Sequence, residues 1–269
     1  EHLEIVPLNK TFDEAKESWS IIEQNTMGDS ATVWLYPNAF DKEIVLQIKD
    51  NNEIIDTVSF EIINRSNLKD TTLYLSTNIS QSFDLNKNIL LNIKHPFKGY
   101  EPQQIKLYED SILVNTAFFS DVGWRNFELA YDFKEDMQYK LYLPPNSVED
   151  IFGLKNDTFQ LSFKSKKEAD YGIVHLTVNP NFSKNYILQL SKKPQLVDEQ
   201  YFKGKQTINY QYLQPGTYTL KLIIDANEDE KWTTGDYLKG VQPEKVYIYT
   251  KEIKVRSNWE YDINWNIQE

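Results

Sequence analysis

The sequence predicts an all-β chain built from tandem Ig-like β-sandwich domains. Short runs of alternating apolar and polar residues recur roughly every ten residues, and Asn- and Asp-rich connections separate them. Neither βαβ alternation nor a sustained amphipathic helix occurs. The aromatic content of 14%, with 17 Tyr and 14 Phe, suits half-buried pleated surfaces. We therefore expect sheets packed face to face around apolar cores.

The 269 residues are long enough for two or three such domains. Residues 1–65 are expected to form a small or truncated Ig-like β domain, and residues 66–167 a full β-sandwich. Residues 168–269 are expected to form a C-terminal β-sandwich with an acidic Asp/Asn loop. The main strand candidates are 3–8, 32–37, 43–48, 54–62, 71–76, 89–93, 104–108, 126–131, 139–144, 158–163, 171–178, 186–190, 217–224, 246–249 and 259–267. Phe12–Gln24 alone has helical character.

The last strand has the clearest pattern. Between residues 259 and 268, every second residue is apolar and the residues between are polar or acidic, which is the period of a strand with one buried face. The residues predicted to face the core are Trp259, Tyr261, Ile263, Trp265 and Ile267.

Composition excludes several kinds of function. A net charge of −11 argues against nucleic acid, because phosphate binding needs a basic surface. The absence of Cys excludes disulfides, thiolate metal sites and a cysteine nucleophile. His2, His95 and His175 are far apart and none lies in a recognisable catalytic triad motif, so we expect no enzyme activity.

One stretch has the spacing of a metal site. It reads D-A-N-E-D-E-K-W-T-T-G-D-Y and runs from Asp225 to Tyr237. Side-chain oxygens at positions 1, 3, 5 and 12, with a backbone carbonyl at position 7, are how a tight loop surrounds Ca²⁺. The predicted ligands of this structural calcium ion are Asp225, Asn227, Asp229, the Lys231 carbonyl and Asp236.

The same stretch also departs from that pattern. Position 6 holds Glu230 where a glycine is usual, and Asp236 stands where a longer bidentate Glu is usual. The alternative is an Asx-rich turn that leaves a strand, with Trp232 packed beneath it.

Two stretches resemble known families. The stretch D-M-Q-Y-K-L-Y-L-P-P-N-S-V-E-D-I-F-G-L-K-N-D-T-F-Q-L-S-F resembles the end of a bacterial Ig-like domain of the S-layer type. The acidic loop with L-K-G-V-Q-P-E-K-V-Y-I-Y and V-R-S-N-W-E-Y-D-I-N-W resembles the C-terminal domain of Ig-like-domain lipoproteins of the Bacteroidota cell envelope, over about the last 100 residues. This resemblance implies an outer-membrane or cell-surface lipoprotein, with its lipid anchor and further Ig-like domains before residue 1.

The expected function is that of a non-catalytic cell-envelope protein that acts as a protein-interaction or scaffolding module. Its partner would be an envelope or outer-membrane protein, bound at exposed sheet edges or inter-domain creases. Membrane contact is expected only through the upstream lipid anchor. The alternative is a carbohydrate-binding surface lipoprotein, in which Trp124 or Trp19 would stack on a sugar ring.

Overall fold

A computed structural model describes residues 3–10, 18–25, 30–36, 39–40, 42–62, 71–115 and 118–268. Among these residues, the only helical elements are two 3₁₀ turns, Pro102–Gln104 and Glu168–Asp170. The predicted all-β class with tandem Ig-like β-sandwiches is confirmed. The chain divides into two compact units: unit 1 is Glu1–Phe133 with Met137–Ser165, and unit 2 is Lys134–Asp136 with Lys166–Glu269. The predicted boundary between residues 65 and 66 lies outside the described residues.

The first part of unit 1 contains two small sheets. Strands β1, β4 and β5 pair antiparallel in the order β1-β4-β5, and β2 pairs with β3. Their small core includes Phe40, Ile44 and Leu46. The helical expectation is wrong for Ser20–Gln24, which is a strand because it pairs with residues 31–35; residues 12–17 lie outside the described residues. The strands are β1 Leu3–Pro7, β2 Ser20–Gln24, β3 Ala31–Leu35, β4 Glu43–Asp50 and β5 Glu53–Glu61.

The rest of unit 1 is a sandwich. One sheet has the order β11-β10-β14-β16-β7, the other has the order β12-β13-β8-β6, and β9 pairs with β15. Fully buried Ile89, Leu91, Phe127 and Leu141 lie in the shared core. The strands are β6 Leu75–Thr77, β7 Ser82–Phe83, β8 Ile89–Ile93, β9 Phe97–Tyr100, β10 Lys106–Glu109, β11 Ile112–Leu113, β12 Phe118–Asp121, β13 Asn126–Ala130, β14 Gln138–Leu143, β15 Val148–Asp150 and β16 Phe159–Ser165.

A polar and aromatic contact attaches the β2–β3 hairpin to this sandwich within unit 1. The Arg125 Nε donates to both carboxylate oxygens of Glu23, at 3.0 and 2.9 Å. The Trp34 indole donates to the same carboxylate at 2.9 Å, and the Arg125 guanidinium lies 5.6 Å from the Trp34 ring. One charged pair and one cation–π contact therefore join segments about 100 residues apart.

The S-layer-like motif V-E-D-I-F-G-L is a structural turn. Asp150 is fully buried, and its Oδ1 accepts the N–H groups of Phe152 at 3.0 Å and Leu154 at 2.8 Å. Gly153 has φ +81°, which favours glycine. His95 Nδ1 lies 2.8 Å from the second oxygen of Asp150. The motif thus closes the turn after β15.

Unit 2 is a second sandwich, made of a sheet β20-β17-β24 and a sheet β19-β18-β21-β22, with β23 also pairing with β21. Tyr261, Ile263, Trp265 and Ile267 face its core as predicted, whereas Trp259 is 53% exposed before the strand begins. The strands are β17 Gly172–Pro180, β18 Asn185–Lys192, β19 Gln195–Lys203, β20 Gln206–Leu213, β21 Gly216–Asp225, β22 Val246–Ile248, β23 Ile253–Val255 and β24 Glu260–Ile267.

Candidate binding surfaces

The acidic loop begins where β21 ends and is held by its own hydrogen bonds. Asp225 is buried, and its two carboxylate oxygens accept the N–H groups of Asp229 at 3.2 Å and Glu230 at 3.1 Å. The Asn227 amide donates to Asp229 at 3.0 Å, and Asp229 accepts the Lys231 N–H at 2.9 Å. The hydrogen bonds that Asp229 accepts, first from the Lys231 N–H and then from the Asn227 amide, lower the pKa of its carboxyl. Three of the predicted calcium ligands therefore lie together in an Asx-rich turn.

Asp236 has a different local partner. Its Oδ1 accepts the Lys239 N–H at 3.1 Å, and its Oδ2 lies 3.0 Å from the Lys239 ammonium, which lowers its pKa. Across the described residues, no group of three or more Asp, Glu or His side chains is arranged to hold a metal ion. Glu230, at the position where a glycine is usual, has φ +59°, so the backbone turns there without a glycine. Calcium binding stays a prediction.

The loop covers the outer face of the sheet from which it emerges. Strand alternation places Ile187 and Ile223 opposite the core, yet their exposed fractions are 1% and 0%. Trp232 lies near Ile187 in the loop, and the Lys221 ammonium, on the same face of β21, is 5.5 Å from the Trp232 ring. The indole N–H donates to the Glu244 carbonyl at 3.3 Å. Trp232 is thus placed beside the outer face of β21, and it is 46% exposed.

A cleft separates this loop from β19. It consists of two adjoining cavities of about 380 and 400 Å³ that share Tyr201 and Glu230. Rings of the half-exposed Tyr201 and Trp232 line it, with Ile187 between them. More acidic than basic residues line it: the acidic ones are Glu199, Asp225, Glu228, Asp229 and Glu230, and the basic ones are Lys203 and Lys231.

The Tyr201 hydroxyl is held in this cleft by Glu199, to which it donates a hydrogen bond. That bond, together with burial and the nearby carboxylates of Glu230 and Asp225, raises the pKa of Tyr201 to about 12. Tyr201 is therefore a neutral phenol at physiological pH. A ring beside several carboxylates can accept a cationic group or stack on a sugar ring.

Sequence reasoning missed Tyr201 and Glu199 because it assigned no strands between residues 191 and 216. The pairing of Ile187 with Tyr201 and of Gln189 with Glu199 depends on the hairpin between β18 and β19. One signal was present in the sequence as Gly204, which has φ +70° and separates β19 from β20, two strands that belong to different sheets. The apolar residues of β19 show no clear alternation, whereas Ile208, Tyr210 and Tyr212 of β20 do alternate with polar residues, and this signal was overlooked.

A second surface is the exposed edge of unit 1. Strand β5 pairs with β4 only, and among the described residues nothing pairs with its other side. Over nine residues only Val58 is half-buried, and the rest are exposed. Ile54, Ile55 and Phe60 are 62%, 61% and 55% exposed. This is a long edge with exposed apolar side chains and no described neighbouring strand, the kind of edge that accepts a further strand. One of its backbone groups has a local partner, since the Thr57 N–H donates to the Asp56 carboxylate at 2.7 Å.

The other predicted candidates have separate environments. Trp19 packs edge-on against Phe40 at 5.8 Å, as an anchoring residue does, whereas Trp124 is 50% exposed. His175 lies on the polar face of β17, as expected for a surface histidine, between Asn209 at 2.7 Å and Glu260 at 2.6 Å. His2 lies outside the described residues.

No protein-family model matches the chain, and no curated protein does. Among solved structures, the chain is similar to an I-band fragment of titin, with 9% identity over 99% of this chain and 88% of that one and a TM-score of 0.22. It is similar to BcpA, the major pilin subunit of Bacillus cereus, with 12% identity over 99% of both chains and a TM-score of 0.23.

A third similar structure is SGBP-B of the Bacteroides ovatus mixed-linkage glucan utilization locus, in complex with a mixed-linkage heptasaccharide. The identity is 11%, over 78% of this chain and 60% of that one, with a TM-score of 0.26. At these values the three matches carry no argument about ligand or activity. In the described part of the chain, no helix is long and apolar enough to span a bilayer.

Proposed function

We propose that this chain is a non-catalytic cell-envelope module that binds a protein partner by accepting one of its extended segments along β5. The observation that carries the proposal is the nine-residue edge of β5, which leaves Ile54, Ile55 and Phe60 exposed. Backbone hydrogen bonds to such an edge supply affinity, and side chains on alternating positions supply specificity. The envelope location is supported by the resemblance of the acidic-loop stretch.

The negative charge of β5 indicates which kind of partner segment would fit it. The strand carries Glu53, Asp56 and Glu61 and no basic residue. If two copies paired antiparallel over their full strands, Glu53 of each would oppose Glu61 of the other, and directly opposed like charges destabilise a strand pair. The complementary occupant is therefore an extended protein segment in which apolar residues alternate with Lys or Arg.

A matched pair of variants tests this proposal. Ile55→Lys places a charge on the β5 edge, whereas Val197→Lys places one on β19, another edge strand, at a residue that is 44% exposed. Immobilised full-length chain is incubated with detergent-solubilised envelope, and any stoichiometric partner is purified and titrated by calorimetry. We expect wild type and Val197→Lys to bind it equally and Ile55→Lys to bind at least about tenfold more weakly.

Equal binding by Ile55→Lys would rule out β5 as the contact. A partner whose bound segment is acidic would contradict the charge argument. Melting curves of both variants verify that each chain remains folded, as expected for substitutions at exposed positions.

Carbohydrate binding is the second candidate, and the cleft beside the acidic loop favours it. Half-exposed Tyr201 and Trp232 offer rings for stacking, and Glu199 and Glu230 offer hydrogen-bond acceptors for sugar hydroxyls. A glycan array with the intact chain tests it. Saturable binding that is lost in Trp232→Ala and kept in Trp124→Ala would support sugar recognition in this cleft, and an array without any bound glycan would contradict it.

A further inference from the structure

The most exposed large apolar side chains of the described residues lie at the tip of a small hairpin in unit 2. Tyr237 and Leu238 are 97% and 94% exposed. Removing apolar side-chain surface from water is favourable, so two neighbouring side chains in full contact with water gain most from a partner. Neither contributes to the core of unit 2.

The tip is closed by a compact set of bonds. Asp236 and Val241 exchange backbone hydrogen bonds of 2.9 Å in both directions. The Lys239 N–H and ammonium both bind the Asp236 carboxylate, at 3.1 and 3.0 Å, and Gly240 turns the chain at φ +65°. Asp236 thus has a defined role in this fold, which is to hold the turn that presents Tyr237 and Leu238.

The base of the hairpin is equally constrained. The Glu244 carboxylate accepts the N–H groups of Ala226 at 2.8 Å and Thr233 at 2.9 Å, which ties the start and end of the acidic turn together. A Cβ on Gly235 would lie 2.7 Å from the Val241 carbonyl oxygen, so a side chain does not fit there. Because these contacts order the loop before any partner binds, binding costs less conformational entropy.

The charge around the tip indicates what kind of surface it fits. Residues 225–245 contain six acidic and three basic residues. Asp236 is paired with Lys239 at the tip, so the surplus negative charge lies in the turn that precedes it, at residues 225–230. An anionic lipid surface repels this charge. A protein surface with an apolar socket and a basic rim complements it, and tyrosine is enriched among the residues that dominate binding at protein interfaces.

We propose that Tyr237 and Leu238 form an anchor that inserts into an apolar socket with a Lys- or Arg-rich rim on a partner protein. This inference deepens the proposed function and rests on it, since both require a protein partner. It is carried by residues of unit 2 alone and does not depend on β5.

Photo-crosslinking on the full chain tests the anchor. A benzophenone side chain replaces Leu238 or, as a control, Tyr74, which is 77% exposed in unit 1. After irradiation with solubilised envelope, the crosslinked peptides are sequenced, and the identified protein is purified and titrated. We expect a Leu238-specific adduct on an apolar segment flanked by basic residues, and about tenfold weaker binding by Tyr237→Ala.

Several outcomes overturn the inference. The first is the same adduct from both photoprobe positions. The second is binding of the partner that is unchanged in Tyr237→Ala. The third is co-sedimentation of wild type with phosphatidylglycerol vesicles that is lost in Tyr237→Ala/Leu238→Ala. The last outcome would indicate membrane insertion. If a partner is lost in Ile55→Lys but fully bound by Tyr237→Ala, the anchor fails while the proposed function stands. If no partner protein is found by either route, both fail.

Discussion

Strands β5 and β24 were both predicted from their apolar residues but lie in opposite environments. The residues of β24 alternate strictly, whereas the adjacent Ile54 and Ile55 of β5 lie on opposite faces. Both are at the edge of a three-stranded sheet. In β24, Trp265 and Ile267 are 8% and 3% exposed because a second sheet packs on that face. In β5, Ile54 and Ile55 are more than 60% exposed. The difference shows that a pattern of apolar residues predicts a strand, whereas burial depends on whether another layer covers it.

The two regions also differ in whether another segment of the chain covers their outward-facing apolar side chains. In unit 2, the acidic loop folds back over the outer face of the sheet, and Ile187 and Ile223 are buried there. In the first sheet of unit 1, the small core has only a few buried residues among those the structure describes, and no described segment covers β5. We therefore expect the two regions to differ in what mutations cost and in what they bind.

Truncation of matched isoleucines gives the largest expected effect. Ile267→Ala removes a side chain that is 3% exposed and should lower the free energy of unfolding by about 2–5 kcal/mol. Ile55→Ala removes one that is 61% exposed and should change it by less than about 0.5 kcal/mol. Urea unfolding followed by fluorescence measures both. If the two substitutions lowered the free energy of unfolding by similar amounts, the proposed difference in burial between β5 and β24 would be wrong.

Calcium binding would stabilise unit 2 but not unit 1, because the predicted ligands all lie in unit 2. At a hundredfold excess over Kd, a ligand of the folded state stabilises it by about 2.7 kcal/mol. We expect millimolar Ca²⁺, compared with EDTA, to raise the melting temperature of unit 2 alone. The shift should disappear in Asp229→Asn and remain in Asp262→Asn, which is on the other sheet. An unchanged melting temperature in wild type would refute calcium binding.

The backbone of the acidic loop provides a smaller effect. Glu230 has φ +59°, a conformation that costs a residue with a Cβ roughly 1 kcal/mol and costs glycine little. Glu230→Gly should therefore stabilise unit 2 by about 1 kcal/mol relative to Glu230→Ala, since both variants remove the same carboxylate. Thermal unfolding of the two variants measures the difference. Equal stabilities would mean that the turn is not strained.

The smallest expected effect is a pH dependence on the polar face of unit 2. Hydrogen bonds to Asn209 and then Glu260 raise the pKa of His175 above its ordinary value of 6.5. A raised folded-state pKa means that the protonated ring stabilises the fold fully below the unfolded pKa, and this contribution is lost as pH rises through the folded pKa. The melting temperature of wild type minus that of His175→Gln should therefore be larger near pH 5.5 than near pH 8.5. Thr207→Ser, on the same face, should show no such difference.

Much of the fold could be predicted from the sequence where apolar residues recur with period two. The predicted run at 89–93 coincides with β8, and Tyr261 to Ile267 face the core as expected. Residues 195–203 were missed because their side chains are mainly exposed and do not alternate. Residues 206–213 do alternate, with Ile208 and Tyr210 packed on the core, and this strand was predictable but overlooked. Ser20–Gln24 was wrongly given helical character because its strand pairing depends on residues 31–35.

The candidate sites were harder to predict because they depend on side chains from distant segments. The acidic loop is evident from its spacing, but the pairing of Asp236 with Lys239 is a property of the folded tip. Tyr201 reaches the loop only because β19 pairs with β18 in a specific register. The sequence alone could not show that Tyr201 and Trp232 line the same cleft, because they are 31 positions apart in the chain.

By itself, the sequence determined the all-β class, the alternation that gives β24 a core face, and the Asx-rich turn after β21. These depend on local periodicity and on the short-range hydrogen bonds of Asp and Asn. Only the tertiary structure decided that β5 is left uncovered, that Tyr201 and Trp232 line one cleft, and that Tyr237 and Leu238 protrude into water. The physical reason is that burial depends on strand register and on the packing of a second layer, and neither is encoded in a local pattern.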